Sequence, residues 1–92
     1  MNITNSIIKG QSVGPVFRTK SIALLIPWIH LQHVSLILHG NSSLTFYFST
    51  HTVTINSSPE LLEYASSLCG RGELAEFISS EDVMIAIEEK IK

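Results

Sequence analysis

Alternating apolar positions dominate the first two thirds of the chain and predict strands. The run from Val16 to Ile26 is aliphatic on both of its alternating faces, which is typical of a strand covered on both sides. Pro27 ends this strand because proline has no amide hydrogen to donate to a sheet ladder. Residues 34–38 form the next predicted strand, and the turn-rich segment 39–43 closes it.

The apolar parity changes between residues 44 and 56. Leu44, Phe46 and Phe48 occupy even positions, whereas Val53 and Ile55 occupy odd ones. Side chains in a regular strand alternate strictly between two faces, so one strand cannot hold both sets on one face. The pattern therefore predicts a turn or bulge across residues 49–52, and a three-stranded meander overall.

The period becomes helical at Ser58. Ser58 is a favourable N-cap, Pro59 suits the first helical position, and Gly70 is expected to end the helix as a C′ residue. Helical spacing is shown by Leu61, Leu62, Ala65, Leu68 and Cys69.

Two further helices are predicted after Gly72. The first is short and contains Leu74, Phe77 and Ile78. The second ends near Lys92, with a predicted core stripe of Val83, Met84, Ile87 and Ile91. Ile85 falls about 200° round such a helix from this stripe, so we interpret it as a contact residue.

These elements predict an α+β fold in one domain spanning residues 1–92. An antiparallel sheet of about four strands, residues 16–56, is expected to be covered on one face by two or three C-terminal helices, residues 59–91. Residues 1–15 are expected to be a loosely ordered start.

Composition adds an expectation of self-association. Hydrophobic residues make up 45% of the chain and charged residues 15%, against about 25% charged in an ordinary soluble domain. Every acidic residue lies between Glu60 and Glu89, so few charges are available to protect the predicted strand edges. We expect a homo-oligomer, most simply a dimer, or a complex with another protein.

Charge and cysteine content restrict the other partners and the compartment. A net charge of −2 with six scattered Lys and Arg residues argues against tight nucleic-acid binding. The single cysteine, Cys69, and the lack of a signal-peptide pattern indicate a cytoplasmic protein. Residues 21–39 carry no Lys, Arg, Asp or Glu, but Pro27 and the polar His30, Gln32 and His33 argue against a membrane span.

The histidines are the obvious raw material for a metal site. His30 and His33 share a face only if that segment is helical, and no second ligand pair has metal-like spacing. His39 and His51 fall in predicted turns. We therefore predict no metal site and no cofactor, and we interpret the histidines as surface residues.

No catalytic residue is predicted either. Cys69 lies on the apolar helix stripe and is expected to be a packed, inert thiol. The sequence has no G-x-S-x-G motif, and the paired acids Glu81-Asp82 and Glu88-Glu89 are typical of a solvated surface.

The leading functional hypothesis is a non-enzymatic interaction or regulatory module that binds another protein or itself. Its predicted contact surface comprises the sheet edge, Trp28, Tyr47 and Ile85. One alternative is a nucleic-acid-binding module that uses the acid-free first 59 residues, with Phe46, Tyr47 and Phe48 as a stacking platform. The other is a small metal protein or enzyme built on His30, His33 and His51.

Overall fold

The chain folds mainly into strands. The structure, a computed structural model, describes residues 7–9, 14–71 and 74–90. These residues form one α-helix, α1 (Pro59–Gly70), and a 3-10 turn at Trp28–His30. The strands are β1 (Ile7–Lys9), β2 (Val16–Arg18), β3 (Ala23–Leu25), β4 (Leu31–Ile37), β5 (Ser43–Phe48), β6 (His51–Asn56), β7 (Leu74–Ile78) and β8 (Met84–Glu89).

Four strands make an antiparallel sheet in the order β4-β5-β6-β8. The predicted turn between β5 and β6 is confirmed and consists of Ser49 and Thr50. Phe46 lies opposite Val53 in the register, and both side chains are fully buried. The parity change therefore comes from a two-residue hairpin connection, which lets both strands place their apolar side chains on the same face.

The other four strands make a mixed sheet in the order β1-β7-β2-β3. Strand β7 runs parallel to β2 and antiparallel to β1, so this sheet joins strands from the two ends of the sequence. Strands β2 and β3 form a hairpin in which the amide of Thr19 donates to the carbonyl of Ile22 at 2.8 Å.

An aromatic cluster joins the two sheets. Phe17 of the mixed sheet lies 5.4 Å from Phe46 and 6.1 Å from Phe48, measured between ring centroids, and stacks on Phe77 at 5.6 Å. All four rings are fully buried. Helix α1 adds Leu61, Leu62, Ala65 and Leu68 to the same core. Burial of this continuous apolar surface is the main stabilising contribution of the fold.

The prediction for α1 is confirmed. Pro59 is its first residue, and the Ser58 hydroxyl accepts a hydrogen bond from the amide of Leu61 at 3.3 Å. The helix ends at Gly70 as expected, but Gly70 is the last helical residue rather than a left-handed C′ residue, and Arg71 is the C-cap.

The predicted fold class is wrong. Among the described residues, a single helix, not two or three C-terminal helices, accompanies two four-stranded sheets, and residues 16–56 do not form one sheet. The run from Val16 to Ile26 is interrupted by a turn, in which the Thr19 hydroxyl accepts hydrogen bonds from the amides of Ser21 and Ile22. Such local side-chain bonds favour a turn over continued strand pairing.

The two predicted helices after Gly72 are strands β7 and β8. Val83 and Ile87 are four residues apart, a separation that places two side chains on one face in both a helix and a strand. Ile85 distinguishes the two cases, because it packs beside them on the core side of the antiparallel sheet. The apolar side chains of this segment therefore repeat every two residues, as in a strand.

The predicted loose start falls largely outside the described residues. Of residues 1–13, the structure describes only Ile7–Lys9, which pair with β7 as strand β1.

Candidate interaction surface

The antiparallel sheet has one face on the core and one face that we call the outer face. Strand register arranges the outer face in rows across the four strands. The central row is Ser35, Thr45, Thr54 and Ala86, and the rows beside it are Ile37, Ser43, Asn56 and Met84, and His33, Tyr47, Thr52 and Glu88. The hydroxyls of Thr45 and Thr54 are 3.5 Å apart. The central row therefore consists of short side chains without ionisable groups, a surface suited to contact with another polypeptide.

Tyr47 is the largest side chain of the outer face. Its ring stacks on that of His33 with centroids 4.2 Å apart and planes 15° apart. The two residues are direct cross-strand partners, a relation in which aromatic pairs contribute to sheet stability. The predicted contact residue Tyr47 is thus half-buried against a neighbour.

The two edge strands of this sheet differ in charge. Within the described part of the chain, β4 pairs only with β5 and β8 only with β6. The seven residues of β4 include no Lys, Arg, Asp or Glu. By contrast, β8 ends in Glu88 and Glu89 and follows Glu81 and Asp82. Charged side chains are a common means of preventing an edge strand from recruiting another strand, and β4 has none.

Exposed isoleucines lie at both ends of β4. Ile29, in the 3-10 turn just before the strand, is 87% exposed, and Ile37, its last residue, is 51% exposed. Leu31, Val34 and Leu36 pack against the core but are only partly buried. The β4 edge therefore presents exposed apolar side chains at its two ends, with the exposed polar Gln32 and His33 between them.

The structure does not bring the three predicted contact residues together. Trp28 is half-buried in the 3-10 turn, and its buried indole Nε1 has no hydrogen-bond partner among the described residues. Tyr47 lies on the outer face, whereas Ile85 lies on the core side, opposite Ile55. Of the three, Trp28 is nearest in sequence to β4, which begins at Leu31.

The histidines have separate local partners. His30 Nδ1 lies 3.3 Å from the Ser49 hydroxyl, and His51 Nδ1 lies 2.8 Å from the Thr50 hydroxyl. His51 Nε2 is 3.9 Å from a Glu89 carboxylate oxygen. The described residues contain no group of three or more His, Cys, Asp or Glu side chains placed to hold a metal ion.

Cys69 packs against the core near the end of α1. Burial raises the pKa of its thiol to about 12, so the nucleophilic thiolate is scarce at neutral pH. This environment is typical of a packed cysteine rather than of a reactive one.

Two surface grooves are candidate ligand sites. One, of about 620 Å³, lies between the β4–β5 turn and the start of α1. Its lining has no ionisable side chain and consists of Leu38, Gly40, Asn41, Ser42, Asn56, Ser57, Pro59 and Met84. The second, about 570 Å³, includes Lys20 and Glu81, but its Thr19 and Ser80 hydroxyls accept bonds from backbone amides of their own turns. Neither lining contains a nucleophile paired with a base.

The charge-free segment 21–39 forms β3, the 3-10 turn and the whole of β4. Among the described residues, no helix combines the length and apolar character needed to cross a bilayer. The signal for the β4 edge in the sequence is this run without charged residues. It did not identify Ile29, Ser35 or Ile37, because edge position depends on which strands pair.

Comparison of the chain with protein-family models, with curated proteins and with solved structures finds no match.

Proposed function

We propose that this protein is a non-enzymatic interaction module that self-associates as a dimer. The observation that carries the proposal is the β4 edge, which is seven residues long, uncharged and unpaired within the described part of the chain. An edge of this kind offers unpaired amides and carbonyls to another strand.

Exposed apolar side chains support the same proposal. Besides Ile29 and Ile37, the exposed large side chains include Ile22 and Leu25. Burying such side chains between two copies would remove apolar surface from water, which is the dominant favourable term in protein association. A charged fraction of 15% leaves few groups that would oppose this contact.

The site chemistry favours a binding role over catalysis. The buried thiol of Cys69, the separated histidines and the groove linings supply no activated nucleophile or metal ligand set among the described residues. The outer face carries Glu88 and no Lys or Arg in its rows, so it does not favour the nucleic-acid alternative. The single cysteine leads us to propose a cytoplasmic location.

Sedimentation velocity across micromolar concentrations tests the proposal. One chain has a mass of 10.2 kDa, and we expect the weight-average mass to rise toward twice this value with concentration. A mass that stays at one chain throughout would contradict self-association.

A further inference from the structure

We infer that the dimer forms by antiparallel pairing of β4 with β4 of a second copy across a two-fold axis. This inference rests on the proposed function and adds the surface and the geometry. Joining the two antiparallel sheets at β4 would give one continuous sheet in the order β8-β6-β5-β4-β4-β5-β6-β8, with two cores on the same side.

The ends of β4 match each other in this arrangement. Antiparallel pairing brings the first residues of one strand beside the last residues of the other. With Val34 at the axis, Ile37 of one copy lies opposite Leu31 of the second copy, next to the 3-10 turn that carries Ile29, and Ile29 and Ile37 are both exposed in the single chain. Val34, at the middle of β4, lies near the axis together with Ser35. The contact is therefore apolar at its ends and uncharged at its centre.

The ends of β8 repel each other in the equivalent arrangement. Antiparallel pairing of two β8 strands would bring Glu81 and Asp82 of one copy toward Glu88 and Glu89 of the other. Lys90 would offset only part of this charge. Like charges at close approach across strands are destabilising, so the dimer should not form through β8.

Pairing of β4 with β8 of the next copy is the remaining edge-to-edge possibility for the antiparallel sheet. That contact is heterologous and leaves one free edge at each end of the assembly, so it would continue into chains of undefined length. The β4–β4 contact uses the uncharged edge of this sheet in both copies, so the assembly stops at two chains. A defined dimer is thus the expected product.

Ser35 and Ala86 provide a matched pair of variants. They occupy the two ends of the central row on the outer face, one on each edge strand. Ser35→Lys places two like charges near the axis of the proposed dimer and should raise the dimer Kd by about fivefold or more, equivalent to about 1 kcal/mol. Ala86→Lys adds the same charge at the other edge and should leave the Kd unchanged.

A charge-swap mixture tests symmetry. Ser35→Glu should weaken the dimer as Ser35→Lys does, and mixing the two variants should restore dimers that contain one copy of each, detected by native mass spectrometry. Recovery of dimers in the mixture requires the two Ser35 positions to lie close together. Variants that had lost their fold would not recover dimers on mixing.

A second pair of variants covers the case in which Ser35 substitutions impair folding. Ile29→Glu changes a side chain that is 87% exposed and lies outside the strands, and Met84→Glu changes one that is 66% exposed on β8. Ile29→Glu should weaken the dimer by several-fold, whereas Met84→Glu should not.

The outcomes separate this inference from the proposed function. A wild-type chain that is always monomeric overturns both. A wild-type dimer that tolerates Ser35→Lys and Ile29→Glu but dissociates with Ala86→Lys or Met84→Glu overturns only the assignment to β4. Growth into large assemblies would indicate the heterologous β4–β8 contact instead.

Discussion

Phe17 contacts aromatic rings of both sheets. Its ring is fully buried and contacts the rings of Phe46, Phe48 and Phe77, so one side chain of a three-residue strand links both layers. Aromatic pairs at such distances add to the burial of apolar area. The importance of Phe17 cannot be seen from its neighbours in sequence, because its contacts lie 29 to 60 positions away.

Phe17→Ala should lower the free energy of unfolding by about 3–5 kcal/mol, because it removes a large buried ring and leaves a cavity. Urea denaturation at fixed protein concentration measures the change. Met84→Ala, at an exposed position outside the proposed dimer contact, should change it by less than about 0.5 kcal/mol. A loss below about 1 kcal/mol for Phe17→Ala would mean that the aromatic cluster does not form as described.

Cys69 should make stability depend on pH in the alkaline range. Burial raises the pKa of its thiol from 9.0 to about 12 in the folded chain. Between these values the unfolded chain binds fewer protons than the folded one, so the free energy of unfolding falls as pH rises. Below pH 9.0 both states keep the proton and the thiol contributes no pH dependence.

The comparison with Cys69→Ala isolates this effect from other groups that titrate at high pH. Urea denaturation from about pH 8 to about pH 10 should show wild-type stability falling more steeply than that of the variant, by up to about 1.4 kcal/mol per pH unit above pH 9. Parallel pH profiles for the two proteins would show that the folded thiol is not protected by burial.

At the scale of elements, the sequence correctly predicts those features that depend on residues close together in the chain. The capped helix α1 and the β5–β6 hairpin were predicted correctly, because a cap, a proline and a parity change act over a few residues. Strand β7 was predicted as a helix because its pairing partners, β1 and β2, lie near the other end of the sequence. No periodicity within residues 74–78 reports that pairing.

Ala86→Thr tests the correction of β8 from helix to strand. Ala86 is exposed on an edge strand, where threonine is favoured over alanine, so the free energy of unfolding should stay the same or rise by a few tenths of a kcal/mol. In an exposed helix the same change would cost about 0.5 kcal/mol. Thermal or urea denaturation that shows a clear loss would favour the helical assignment.

At the scale of the molecule, the sequence indicated the character of the interaction surface but not its position. Low charge, a high apolar fraction and long acid-free segments predict self-association without any knowledge of strand order. Which edge is uncharged became clear only when β4 and β8 were found at opposite ends of one sheet. Of the predicted contact residues, Tyr47 lies on the central strand β5, and Ile85 lies on the core side of the sheet. The proposed contact instead involves Ile29, Ser35 and Ile37.

Amide hydrogen exchange of β4, measured residue by residue at concentrations where the chain is dimeric, tests the central claim most directly. In a single chain, alternate amides of β4 donate to β5 and the others point to the free edge. The account predicts that both sets are protected in the dimer, that the outward set loses protection on dilution, and that outward amides of β8 exchange rapidly throughout. Outward β4 amides that exchange as fast as those of β8 in the dimer, or that stay protected in the monomer, would contradict it.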